Sequence, residues 1–337
     1  MTILVTGGAG FIGSNFIESW FSLSTEKVIN LDSLNYAANI EKISQFTNKY
    51  NYEFIKGDIG NEHLVKNLLK IYKPTTIINF AAETHVDTSI KNPNIFIKNN
   101  VVSFFNLINI SKEYWNSLNM QCRSSFKFIQ ISTDEIYGSL KKTDAPFTEN
   151  SPYKTNNPYS ASKASANHIA QAFFTTYGFP TILTICTNNY GPYQFVEKFI
   201  PNVINSAINN QYIPIYGNGE QIRDWIYVKD HCNALIELIK YGTPGESYNI
   251  GNNNEVTNIK LAIFICDILD ELSPKQCGDN YKNQIKFIHD RPGHDVRYSI
   301  NANKIIKHTK WIPIESLESG MRKTIYWYLN KKQEKKF

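Results

Sequence analysis

The opening stretch TILVTGGAGFIGSNF sets the tightest limit on what this chain can fold into. A run of apolar residues reads as a strand, a glycine-rich turn follows at once, and a helix starts behind it. Gly7, Gly10 and Gly13 allow a tight turn, close approach of a pyrophosphate, and close packing of helix on strand. The helix N-terminus beyond such a turn favours an anion. A glycine string alone is weak evidence, but Asp32 ends the next apolar run, KVINLD, 19 residues beyond Gly13. A carboxylate placed there hydrogen-bonds a ribose diol and repels a 2′-phosphate. Together these features predict a dinucleotide site that prefers NAD to NADP.

The alternation continues. ILVTG, KVINLD, YEFIKGD, TTIINFAA, FKFIQIST and TILTICT read as strands, and the segments between them, such as NIFIKNNVVSFFNLINISKEYW, carry apolar residues at helical spacing. Right-handed crossovers then give an α/β fold, a Rossmann-type doubly wound parallel sheet. After Tyr190, Pro and Gly become frequent (GPYQF, YIPIYGNGE, TPGE, DRPGH), which predicts a smaller C-terminal substrate-binding lobe. ESYNIG reads as one strand returning to the first lobe. The expected division is residues 1–188 plus about 225–251 for the NAD-binding lobe, 189–224 and 252–330 for the second lobe, and a basic tail at 331–337.

Composition mainly excludes. The 42% hydrophobic and 19% charged content is that of a soluble globular chain. Of the net charge of +5, much sits in the terminal KKQEKKF, so it gives no case for nucleic acid binding. Five cysteines with no CxxC pair argue against a disulfide framework or a metal site and fit a reducing cytoplasm. Apolar runs such as LAIFICDIL are too short to span a bilayer. The start runs directly into a strand, without the basic leader of a signal peptide.

Two further stretches carry chemistry. In FIQISTDEIYGSL a buried strand ends by placing Thr133, Asp134 and Glu135 side by side. Adjacent carboxylates repel, and read alone they would be a helix cap followed by solvated acids. In PYSASKAS, Tyr159 and Lys163 lie four apart on one helix face. An ammonium beside a phenol is expected to pull its pKa below about 10 and make it a base for a hydroxyl proton. By itself this pair could be an exposed helix pair; beside the glycine turn it becomes specific.

With STDEIYG, AAETHVD, YSASKAS, NNYGPYQFVEK, PIYGNG, RDWIYVKDH and DRPGHDVRY in place, the chain resembles the extended short-chain dehydrogenase/reductase superfamily. Within it, the chain is similar to the nucleoside-diphosphate-glucose 4,6-dehydratases, above all to members acting on dTDP-glucose. The resemblance runs from Ile3 to about Tyr328. It implies an NAD-dependent lyase that makes dTDP-4-keto-6-deoxyglucose and water by C4 oxidation, C5/C6 elimination and hydride return to C6, as in deoxysugar (for example rhamnose) biosynthesis. Tyr159 would take the O4 proton with Lys163 beside it, Thr133 would steady that oxygen, Glu135 would remove the C5 proton, and Asp134 would protonate the leaving hydroxyl. Phe11, Ile12, Ser33, Leu34 and Asn35 are implied to lie along the cofactor. So are Asp58 and Ile59, then Phe80, Ala81, Ala82 and Asn99, and finally Asn189.

Substrate contacts carry over in the same way. Asn188, Lys198 and Arg223 are implied for the diphosphate, with Thr84 and Thr133 near the sugar and Phe199 beside Lys198. Pro214, Ile215, Tyr216 and Asn258 are implied for the nucleoside, with Asp290, Arg291, Pro292, Gly293 and His294; from composition alone DRPGH reads equally as a Pro-Gly turn. Three positions depart from the family pattern: Ile185 and Thr88 stand where arginine is usual, and Asn99 where threonine is usual. They leave thymine and uracil open, so a UDP-glucose 4,6-dehydratase is the nearest alternative. An epimerase or decarboxylase on the same scaffold is disfavoured by Asp134 and Glu135, and a non-catalytic NAD-binding scaffold by the presence of Tyr159, Lys163 and Glu135. The resemblance also implies a homodimer joined by a four-helix bundle from helices near 96–115 and 160–177.

Overall fold

The computed structural model describes residues 2–334. In chain order the strands are β1 (Thr2–Thr6), β2 (Lys27–Asp32), β3 (Tyr52–Lys56), β4 (Thr76–Asn79), β5 (Lys127–Thr133) and β6 (Thr181–Cys186). They continue with β7 (Asn188–Tyr190), β8 (Ile213–Tyr216), β9 (Ile222–Tyr227), β10 (Ser247–Ile250), β11 (Glu255–Thr257) and β12 (Ile285–Ile288). Seven form one parallel sheet in the order β10-β6-β5-β4-β1-β2-β3. The six runs read as strands and the returning ESYNIG are those seven, so the doubly wound expectation holds. Both faces are covered by helices, which is why these strands are continuous apolar runs without alternation. One apolar cluster contains Val5, Phe16, Ile78 and Leu235, and another contains Leu4, Ile29, Leu107 and Phe128.

The order reverses between β1 and β4, and the crevice above that switch point is where such sheets take a ligand. Polar side chains join the strands just below it: Thr6 Oγ1 donates to Asn79 Oδ1 at 2.5 Å, and Asn79 Nδ2 to Gln130 Oε1 at 2.8 Å.

The second lobe holds a three-stranded sheet, β11-β9-β7, and the parallel pair β12-β8. Its own core gathers Ile200, Ile215, Trp225, Leu261 and Ile325. The helix Val228–Tyr241 leaves this lobe and packs Cys232 and Leu235 on the main sheet, joined there by Ile305 and Trp311. Of the expected basic tail, residues 331–334 continue the helix Leu317–Glu334, and 335–337 lie outside the described residues. Among the described residues no helix is long and apolar enough to cross a membrane.

Candidate active site

Gly7 has φ +71°, and a Cβ there would sit 2.5 Å from the backbone nitrogen of Ala81. Only glycine lets the turn after β1 lie flat on the end of β4. A Cβ on Gly13 would strike the carbonyl of Gly7, so the helix Phe11–Leu23 can start this close to the turn only with glycine there. Gly10 caps that helix without a side-chain bond, which leaves its first N–H groups for a ligand. Asp32 Oδ2 accepts from the Ala9 N–H at 2.9 Å and Oδ1 from the Leu34 N–H at 2.8 Å. Burial raises the pKa of this carboxyl, and the two N–H bonds oppose the rise. Each oxygen keeps a lone pair for a further donor.

The cavity above these residues measures about 300 Å³. Gly7, Gly10, Phe11, Ile12, Gly13, Asp32, Ser33 and Asn35 line one end, with Asp58, Ile59, Phe80, Ala81, Ala82, Thr84 and Asn99 along it. Thr133, Asp134, Glu135, Tyr159, Lys163, Asn188, Asn189 and Lys198 line the other end. Leu34 lies outside the lining; its N–H serves to hold Asp32.

At the far end β5 delivers Thr133, and one turn of 3-10 helix, Asp134–Tyr137, follows. The Thr133 hydroxyl accepts from the Glu135 N–H at 3.4 Å and lies 3.3 Å from Asp134 Oδ1. The helix Pro158–Tyr177 begins with proline and a capping box between Asn157 and Ser160, which fixes the turn that carries Tyr159 and Lys163. Below it Ile136, Tyr137, Ala164, Ile185 and Ile300 make an apolar floor, so Ile185 is a packing residue here.

The electrostatics separate the two acids. Asp134 is fully buried, its Oδ2 has no partner, and burial followed by the Glu135 charge holds its carboxyl well above the usual range. Burial also raises Glu135, but Arg291, Arg223 and Lys198 pull it back. One expectation fails. Burial and then the Glu135 charge push the Tyr159 phenol well above its ordinary value, with a hydrogen bond from Thr133 opposing. Lys163 does not govern it: burial lowers that ammonium to about 8, and it donates to the Ile131 carbonyl at 2.6 Å.

The expected substrate residues divide. Lys198 donates to the Thr84 carbonyl at 2.7 Å across the lobes. Arg223 is buried, lies 4.2 Å over the Tyr298 ring, and donates to the carbonyls of Ile222 and Asp295. The Ile215 side chain is in the lobe core, so only its backbone is available to a ligand; Phe199 packs on Trp225. Pro214 stands on β8 opposite Lys286, and Asn258 opens a helix with its N–H on the Gln221 carbonyl. Tyr216 and His294 meet edge-on at 6.2 Å, and Asp290 holds His294 at 2.6 Å. Arg291, Pro292 and Gly293 turn between those two, with Gly293 at φ +66°.

Sequence reasoning missed Tyr36, Glu83, Ser132, Thr187, Gln194, Phe195 and Glu197, which also line the cavity. The last three fall inside the GPYQFVEK stretch, so that motif could have flagged them. Asn99 donates to Glu83 Oε1 at 3.1 Å, and Thr88 Oγ1 lies 2.8 Å from His85 Nδ1, which gives two of the departures local partners.

Among the described residues Ser132 Oγ, Asp134 Oδ2, Glu135 Oε2, Thr187 Oγ1, Asn188 Oδ1 and Gln194 Oε1 are buried without a hydrogen-bond partner, and all six residues line this cavity. Buried polar atoms are normally paired, so these six are free to meet a polar ligand in the cavity. The glycine turn, the uncapped helix start and Asp32 fit a dinucleotide along the same wall. No cluster of metal-ligating side chains occurs among the described residues.

Comparison with known proteins agrees with this geometry. A family model described as GDP-mannose 4,6 dehydratase matches residues 4–324. A dTDP-glucose 4,6-dehydratase of Escherichia coli is 47% identical over 343 residues, covering 99% of this chain and 95% of that protein. The crystal structure of a dTDP-glucose 4,6-dehydratase from Streptomyces venezuelae, with NAD bound, superposes with a TM-score of 0.90 at 34% identity, covering 99% of this chain and 98% of that one. The Bacillus anthracis enzyme of the same name, in complex with NAD, gives 0.86 at 40% identity, with the same 99% and 98% coverage. With matching motifs, fold and end-to-end similarity, the chain belongs to the nucleotide-sugar 4,6-dehydratase family.

Proposed function

We propose that this protein is an NAD-dependent dTDP-glucose 4,6-dehydratase, converting dTDP-glucose to dTDP-4-keto-6-deoxyglucose and water. The observation that carries this reading is the pair of acids, buried Asp134 and half-buried Glu135, each with one carboxylate oxygen left without a partner on the same cavity as Tyr159 and the glycine turn. Gly7, Gly10, Gly13 and Asp32 would hold NAD, which would supply the acceptor for hydride from C4 and the hydride returned to C6.

Tyr159 takes the O4 proton. Its raised pKa makes it a strong base once ionised, and the Thr133 hydroxyl steadies the oxygen. The new 4-ketone acidifies C5. Glu135, the less elevated carboxyl with three cations near it, removes the C5 proton. Asp134, whose carboxyl burial and the Glu135 charge hold well above the usual range, gives its proton to the departing C6 hydroxyl as water. Two carboxyls with separated pKa values thereby divide acid and base work. Lys198, Asn188 and Arg223 supply donors for the diphosphate.

Residues 1–188 with 225–251 serve the dinucleotide, and 189–224 with 252–330 the sugar nucleotide. The protein works in the cytoplasm as a homodimer, free of nucleic acid and membrane. Exposed Ile97, Val102, Phe105, Phe174 and Tyr177 on the helices near 96–115 and 160–177 support the dimer. Sedimentation of Phe105→Glu is expected to give a monomer.

Product mass and NMR after incubation with dTDP-glucose and UDP-glucose test the reading. A 4-keto-6-deoxy product from the thymidine substrate is expected. Preferential turnover of UDP-glucose would replace the substrate, and a 4-epimer would end the dehydratase reading.

A further inference from the structure

Asp87 joins the two lobes beside Tyr216 and Arg291, two of the residues implied for the nucleoside. It stands in the helix Val86–Lys91 of the first lobe. Its Oδ2 accepts from the Tyr216 hydroxyl at 3.3 Å, and its Oδ1 faces Arg291 Nη1 at 3.3 Å. Both donors belong to the second lobe but to different elements, the end of β8 and the DRPGH loop. An isolated, partly exposed ion pair contributes little to stability. Convergence of two such donors on one carboxylate does more for geometry.

The surroundings show what that geometry serves. Asp290 ties the DRPGH loop internally, holding His294 at 2.6 Å and accepting from Gln221 Nε2 at 3.1 Å. The Tyr216 ring is set edge-on to His294. Asp87 provides this group's tie to the opposite lobe. Arg291 also lies near enough to Glu135 to draw its carboxyl downward, so its charge reaches from Asp87 to the catalytic end.

We propose that Asp87 is a positioning residue for the nucleotide-sugar, holding Tyr216 and Arg291 against the first lobe so that both meet the substrate already ordered. This rests on the function proposed above. Asp87 itself stands outside the cavity lining and acts through Tyr216 and Arg291. Without its charge, two long side chains must be ordered by the substrate, and that cost appears in binding and not in chemistry.

Steady-state kinetics with dTDP-glucose and calorimetry with dTDP test it. Asp87→Asn is expected to raise KM and the dTDP Kd together by about tenfold while kcat stays within about twofold, because the loss is in ordering side chains for binding. Asp87→Glu, which keeps the carboxylate, should recover most of the affinity. In a Tyr216→Phe background Asp87→Asn should cost less than in the wild type, because one of its two partners is already silent. A fall in kcat at unchanged KM, an unchanged dTDP Kd, or full additivity with Tyr216→Phe overturns the assignment. If the wild type binds no dTDP, the function reading fails and takes this proposal with it. If the wild type binds and turns over normally and the variants match it, only the role of Asp87 is lost.

Discussion

Asp134 and Glu135 share a backbone turn and differ in surroundings, and that difference is measurable. Glu135→Gln keeps the shape but cannot accept the C5 proton. Loss of a general base costs 10²–10⁴-fold, about 3–5 kcal/mol of barrier. C4 oxidation, followed as reduced-cofactor absorbance, should persist while dehydration falls by that factor; a variant within twofold of wild type would sink the assignment. Asp134 makes a second, opposite statement about stability. Its folded pKa is raised, so the folded state holds a proton that the unfolded chain releases. Its contribution is intact below about pH 4 and is lost as pH rises through the elevated value. Asp134→Asn should therefore raise Tm at pH 7, and the gain should vanish towards pH 4. A gain that grows on acidification would contradict the burial argument. The two acids were legible in the sequence only through the motif STDEIYG and the resemblance it carries, since read alone they pass for a helix cap and solvated charges. The direction of the Tyr159 shift was not, since it depends on how much water the fold excludes.

At the scale of elements, the segment 192–198 crosses from the second lobe onto the loop after β2. Tyr36 donates to Glu197 Oε1 at 3.0 Å and meets the Phe195 ring at 5.4 Å. Asn39 Nδ2 donates to the Tyr193 carbonyl at 2.9 Å, and the Lys42 ammonium lies 4.4 Å over the Tyr193 ring. Tyr36, Phe195 and Glu197 all line the cavity, so these contacts cover its ribose end. Tyr36→Ala should speed release of NAD from the purified protein by about tenfold, equivalent to about 1.4 kcal/mol. Dilution into excess labelled nucleotide, with bound NAD counted over time, checks this; unchanged retention would mean that the segment covers nothing. Strands and the glycine turn were readable because their periodicity and punctuation are local. The π-helical turn Ile97–Ser103 was not, although it read as plain helix. Asn100 there bonds the backbone of Glu83 and the Ser162 hydroxyl, partners more than a dozen residues away, and π turns often mark such functional places.

For the whole molecule, the sequence showed two textures but not where every apolar face docks. The helix Asn303–Thr309 falls in the 252–330 stretch expected for the second lobe, yet Ile305 and the nearby Trp311 pack on the main sheet beside Leu235, and Trp311 Nε1 donates to the Asp230 carbonyl at 3.1 Å. Periodicity says which face is apolar and is silent about the lobe that receives it. What the assembled molecule does show is one cavity with the dinucleotide features at one end and Tyr159, Glu135 and Asp134 at the other. A single sugar lodged there faces base, acid and hydride acceptor together, so no intermediate has to leave between oxidation and reduction. Substrate deuterated at C4 should then yield product with deuterium at C6, and turnover in heavy water should label C5 through the proton that Glu135 exchanges. A mixture of deuterated and unlabelled sugars should give no crossed products, since hydride leaves and re-enters within one visit. An epimerase would return the label to C4 and keep the C6 hydroxyl. Deuterium recovered at C4, or lost to solvent, would remove the basis for assigning acid and base to these two carboxyls.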